Sequence, residues 1–60
     1  MTNHKQERAK KIMRAYEAED TYNFPKDGVV AALRKVVEEL KYIGITEKNI
    51  LELADELEVL

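Results

Sequence analysis

The 60-residue chain has no cysteine, serine or tryptophan, and only one histidine, one proline and two glycines. Without cysteine it cannot be a secreted disulfide scaffold, and we expect a reducing, cytoplasmic location. No apolar run approaches the roughly 18–20 residues of a membrane span, and the basic N-terminus is not followed by a signal-peptide apolar core. The sequence therefore predicts a soluble, folded, cytoplasmic domain.

The same shortages leave few groups for catalysis. The hydroxyl groups are three threonines and three tyrosines, and His4 is the sole imidazole, close to a chain terminus where we expect it to be solvated. Gly28 and Gly44 stand alone, without the spacing of a phosphate-binding loop. We expect no enzymatic activity and no cofactor.

Carboxylates are plentiful near the C-terminus, where Glu52, Asp55, Glu56 and Glu58 lie close together on a predicted helix. Such a cluster resembles half of a site for a hard cation. A carboxylate metal site would also need a Glu-x-x-His motif or inward acids on other helices, and the chain offers neither. We therefore interpret this cluster as a solvated acidic face and predict no metal.

Apolar spacing predicts an all-α fold with helices over about 5–19, 26–43 and 47–58, packed as a small three-helix up-down-up unit in a single domain, 1–60. The central helix has the clearest pattern, an apolar stripe within an arc of about 140° that we expect to be buried. Its members are Val29, Val30, Leu33, Val36, Val37, Leu40 and Ile43. Ile50, Leu51, Leu53, Ala54, Leu57 and Leu60 should reach the same core from the third helix.

Local signals mark the helix ends. Pro25 can open the second helix, Gly44 can end it in a left-handed conformation, and Thr46 can cap the third helix. The short connection should place the second and third helices side by side and antiparallel. The two aromatic residues before the second helix, Tyr22 and Phe24, are expected to close one end of the core.

So small a chain buries only about 60% of its unfolded surface, which leaves little margin of stability. Disulfides, metals and self-association are the usual remedies, and the composition removes the first two. We therefore expect the unit to be completed by dimerisation, with a second copy or another protein as partner.

Charge is sorted along the chain: the first fourteen residues carry +4, the remaining forty-six carry −6, and the net charge is −2. In an up-down-up unit, the first and third helices run parallel, so basic and acidic ends would lie at opposite poles. Such surfaces predict a small regulator, inhibitor or adaptor that binds pole to pole. The residues predicted to contact the partner are Lys5, Arg8, Lys10, Lys11, Arg14, Glu52, Asp55, Glu56 and Glu58.

Nucleic-acid binding through the basic first helix is the alternative, because Lys10, Lys11 and Arg14 can lie together on its surface. A helix-turn-helix mode is disfavoured, since the third helix is strongly acidic where a recognition helix would approach phosphates.

The stretch from Leu33 to Leu60 resembles the helical hairpins of the small aspartyl-phosphate phosphatases that act on sporulation response regulators. Those carry a Gly turn followed by a Leu-Ser-Gln-x-Leu-Asp signature, and Leu53-Ala54-Asp55-Glu56-Leu57-Glu58 occupies that place here. The Ser, Gln and Asp of the signature are missing, so the resemblance implies a regulator-binding role without the activity.

Overall fold

A computed structural model describes the backbone of residues 4–60 and the side chains of residues 7–60. It contains three helices: α1 (His4–Glu17), α2 (Pro25–Leu40) and α3 (Glu47–Glu58). No strand occurs within this described part of the chain. The all-α prediction is confirmed, although α1 and α2 end two and three residues earlier than expected.

The three local signals act at the helix ends as predicted. Pro25 occupies the first turn of α2, where its missing N–H costs no hydrogen bond. Gly44 has a φ of +115° and donates its N–H to the Leu40 carbonyl over 2.8 Å. Thr46 accepts a 3.1 Å hydrogen bond from the Asn49 N–H on its Oγ1 atom, which caps α3.

The hydrophobic core is very small. Its fully enclosed large side chains are Ile12, Leu40 and Leu53, one from each helix. The partly buried side chains of Ala32, Val36 and Leu57 pack around them. Three side chains at one junction hold the helices together, so most of the apolar surface on α2 and α3 does not contribute to this core.

The helices form a flat arrangement, with Cα extents of 33 × 26 × 16 Å. Helix α1 packs against both other helices, whereas α2 and α3 barely touch each other. The predicted up-down-up packing is not confirmed, because it requires α2 and α3 to lie side by side. Moreover, Arg8 near the start of α1 contacts Glu56 near the end of α3, whereas parallel helices would set Arg8 near the start of α3.

The prediction that Tyr22 and Phe24 close one end of the core is wrong. Their side chains are 94% and 59% exposed. The tight turn before α2, in which the Phe24 N–H bonds the Asp20 carbonyl over 2.8 Å, directs both rings to solvent. Thr21, just before them, is partly buried, and its methyl group lies close to Gly28 of α2.

Candidate interaction surface

An ion pair that is largely shielded from solvent joins α1 to α3. The Arg8 guanidinium donates to both carboxylate oxygens of Glu56, from Nε to Oε1 over 2.8 Å and from Nη2 to Oε2 over 2.5 Å. The two side chains are only 16% and 10% exposed. Two parallel hydrogen bonds to a carboxylate are the strongest geometry available to arginine. They raise the pKa of Arg8 above its ordinary value, against the opposing effect of burial.

Helix α2 is held to α1 by a weaker and more open ion pair. Lys11 Nζ lies 3.6 Å from Glu39 Oε1, with the lysine half exposed and the glutamate mostly covered. A third pair, Lys35 with Glu38, lies within α2 at 3.5 Å. These contacts show that part of the sorted charge is neutralised inside one chain.

The structure separates the nine residues predicted to contact a partner into groups. Arg8 pairs with Glu56 and Lys11 pairs with Glu39, so three of the nine already have partners within the chain. Glu52 is half-buried, and the side chain of Lys5 lies outside the described residues. The members that remain exposed and make no such contact with the side chains of residues 7–60 are Lys10, Arg14, Asp55 and Glu58.

The prediction of separate basic and acidic poles is therefore wrong at Arg8 and Glu56. It assumed that α1 and α3 run parallel, which would keep the basic start of α1 away from the acidic end of α3. In the structure those two ends meet, and opposite charges compensate where they were expected to be unpaired. This contact within the chain therefore accounts for part of the uneven charge distribution along the sequence.

The apolar stripe of α2 points largely away from the core, contrary to expectation. Val29, Val30, Leu33 and Val37 are between 44% and 61% exposed, and we call these four residues the α2 apolar face. Ile43 is also exposed. Of the predicted stripe, only Val36 and Leu40 reach the core.

Small residues explain this orientation of α2. The side that meets α1 contains Gly28, Ala32 and Glu39, about 120° around the helix from Leu33. At Gly28 the approach is so close that a Cβ atom would lie 2.5 Å from Thr21 Cγ2 and 2.8 Å from the Tyr16 ring. Tight packing through the small side of α2 therefore leaves its apolar face uncovered.

Sequence reasoning missed this contact, although a signal for it exists. Gly28 and Ala32 are four residues apart, the spacing at which two helices can approach closely through small side chains. The larger valines and leucines beside them instead predict burial of the neighbouring side of the helix. Gly28 and Ala32 pack inside the chain together with Val36 and Leu40, whereas the α2 apolar face stays exposed.

Helix α3 also leaves apolar side chains exposed. Of its six predicted core residues, Leu53 is buried and Leu57 is partly buried, whereas Ile50, Leu51 and Leu60 are between 43% and 56% exposed and Ala54 is exposed as well. Ile45 in the preceding turn is 52% exposed. The exposed apolar surface therefore extends beyond α2.

A shallow basic depression lies between α1 and α2. Lys11, Arg14 and Lys35 line it together with Ala15. No side-chain nitrogen or oxygen that is buried in the described residues lacks a hydrogen-bond partner. The buried polar groups thus have their hydrogen-bond partners. What lacks a partner inside the chain is apolar side-chain surface.

Comparison of the chain with protein-family models, curated proteins and solved structures finds no significant match. In the described part of the chain, no helix combines the length and the apolar character needed to cross a membrane. Within the same residues, no three His, Asp or Glu side chains gather as a possible metal site.

Proposed function

We propose that this chain is a small, non-enzymatic protein-binding module, a regulator, inhibitor or adaptor, whose contact surface is the α2 apolar face. The observation that carries the proposal is the exposure of Leu33, at 61%, in a row with three valines that are all at least 44% exposed. The chain leaves more large apolar side chains on this one helix face than it encloses in its core.

Burial of this face can contribute several kcal/mol to association with a partner. Fully burying a side chain of this size is worth about 1.5–3 kcal/mol, and about half of each is already covered. A partner that covered the remainder would therefore gain roughly 1 kcal/mol from each of the four. Continuous apolar patches of this kind mark interaction sites on soluble proteins.

The exposed charges have a secondary role in this proposal. Lys10, Arg14, Asp55 and Glu58 face solvent and remain available to select or orient a partner. Charges at the rim of an interface chiefly affect the association rate and specificity, and they add less to affinity than buried apolar contacts. The proposed contact therefore depends on the apolar face first and on charge second.

Affinity capture with matched variants tests this function. A tagged chain would be compared with Leu33→Glu, on the α2 apolar face, and with Leu51→Glu, an equally exposed leucine on α3. We expect wild type and Leu51→Glu to retain the same bound protein and Leu33→Glu to lose it. An untagged copy of the chain counts as such a bound protein. Equal capture by all three variants, or capture no greater than by the tag alone, would refute the proposal.

Nucleic-acid binding is a second candidate, favoured by the three cationic side chains around the depression between α1 and α2. It predicts retention of duplex or single-stranded DNA or RNA at about 50 mM salt with a steep loss at higher salt. Arg14→Glu should abolish this retention. Absence of any binding by the wild-type chain at low salt would remove this candidate.

A further inference from the structure

We infer that the occupant of the α2 apolar face is a second copy of the same chain, with the two α2 helices antiparallel and Leu33 at the twofold axis. The inference rests on the proposed function, because both use the same face. Three observations support it: the excess of exposed surface, the position of Leu33 midway between Val29 and Val37, and the smallness of the core.

The exposed surface is larger than the average for a folded monomer of this mass. The chain exposes 4770 Å², and its mass is 7.0 kDa. Folded monomeric proteins of that mass expose about 4000 Å², so the excess is about 700 Å². A standard interface buries about 800 Å² on each partner. The excess exposed area is therefore close to the area that one such contact covers on each partner.

Antiparallel pairing of the two α2 helices brings the four side chains of each face together. Val29 and Val37 lie four residues before and after Leu33, about 6 Å along the helix, so Val29 lies opposite Val37 of the second copy when Leu33 is at the twofold axis. Antiparallel order also sets the positive start of each helix dipole beside the negative end of the other, whereas parallel order would place like ends together.

The smallness of the core favours a partner of the same chain over a transient one. Only three large side chains are enclosed within one chain, and the α2 apolar face would add four from each copy to a shared core. A contact that adds to the stability of the folded chain benefits from a partner that is present at all times. A second copy meets that condition, since it is made together with the first.

Cysteine cross-linking tests the pairing directly, because the natural chain has no cysteine and each introduced thiol is unique. Under mild oxidation, Leu33→Cys should form a disulfide-linked dimer. A mixture of Val29→Cys and Val37→Cys should form the mixed dimer in preference to either symmetric one. The control is Leu51→Cys, exposed on α3, which should cross-link only at the background rate.

Two results would overturn the inference. Symmetric disulfides of Val29→Cys and of Val37→Cys without the mixed product would show parallel pairing. Cross-linking no faster than the control, together with the sedimentation mass of a single chain, would rule out self-association at this face. In that second case, Leu33-dependent capture of another protein would still support the proposed function. If neither cross-linking nor Leu33-dependent capture were observed, the proposed function would be refuted as well.

Discussion

Arg8 and Glu56 lie 48 residues apart in sequence and form a two-hydrogen-bond ion pair that is mostly shielded from solvent. This contact brings the basic start of α1 to the acidic end of α3. It neutralises inside the chain two charges that the sequence suggested were reserved for a partner. The α2 apolar face and the exposed apolar side chains of α3 remain uncovered.

Breaking the Arg8–Glu56 pair should destabilise the fold. Arg8→Met leaves the Glu56 carboxylate buried without a donor, and we expect the free energy of unfolding to fall by about 2 kcal/mol. Urea denaturation followed by circular dichroism measures this. Lys10→Met, at an exposed neighbour, should change stability by less than about 0.5 kcal/mol.

The double variant Arg8→Met with Glu56→Leu isolates the cause of that loss. It removes the stranded carboxylate, so it should recover most of the stability lost in the single variant. An Arg8→Met variant as stable as wild type would show that the pair is not formed in solution.

Adding a single methyl group at Gly28 tests the close approach of α1 and α2. Alanine is the better helix former by about 1 kcal/mol, but the new Cβ would overlap Thr21 and Tyr16, and overpacking of this kind costs about 1–3 kcal/mol. We expect Gly28→Ala to be destabilised by about 1 kcal/mol. Adding Thr21→Ser, which deletes the nearest methyl group, should restore part of the loss. A more stable Gly28→Ala would contradict the tight contact.

The turn before α2 has a measurable titration signature. The Asn23 side-chain amide donates to Asp20 Oδ2 over 2.9 Å and its backbone N–H to Oδ1 over 3.3 Å, which lowers the pKa of Asp20 below its ordinary value. Since the charged form is favoured by folding, this contribution to stability is present above the unfolded pKa and is lost as the pH falls through the lowered one.

Asn23→Ala should therefore raise the pKa of Asp20 towards its ordinary value, as followed by NMR titration of the Asp20 carboxyl carbon. Tyr22→Ala is the matched control, because it changes an exposed neighbour and leaves the Asn23 amide in place. If Asn23→Ala left the pKa of Asp20 unchanged, the side-chain hydrogen bond would not be the cause of its lowering.

The local signals at three helix ends could be predicted from the sequence because they depend on neighbouring residues. Pro25, Gly44 and Thr46 each act through the conformation or hydrogen bonds of their own segment, and each behaves as expected. The existence of α2 followed equally well from its apolar period. These features required no knowledge of what the helix packs against.

The orientation of α2 could not be predicted in the same way. A periodic stripe shows which side chains share a face, but it does not show whether this chain or another molecule covers them. Gly28 and Ala32 permit a closer approach to α1 than the larger Leu33 does. Helix α1 therefore packs against the side of α2 that contains these small residues. The Arg8–Glu56 pair could likewise not be predicted, since no local spacing relates residues 48 positions apart.

Sedimentation equilibrium of wild type, Leu33→Glu and Leu51→Glu across micromolar to millimolar concentrations most directly tests the claim that the α2 apolar face joins two chains. We predict that wild type and Leu51→Glu approach twice the monomer mass of 7.0 kDa, and that Leu33→Glu stays at the monomer mass while keeping its helical circular dichroism. A wild-type chain that remains monomeric throughout, or a Leu33→Glu variant that associates as strongly as wild type, would contradict it.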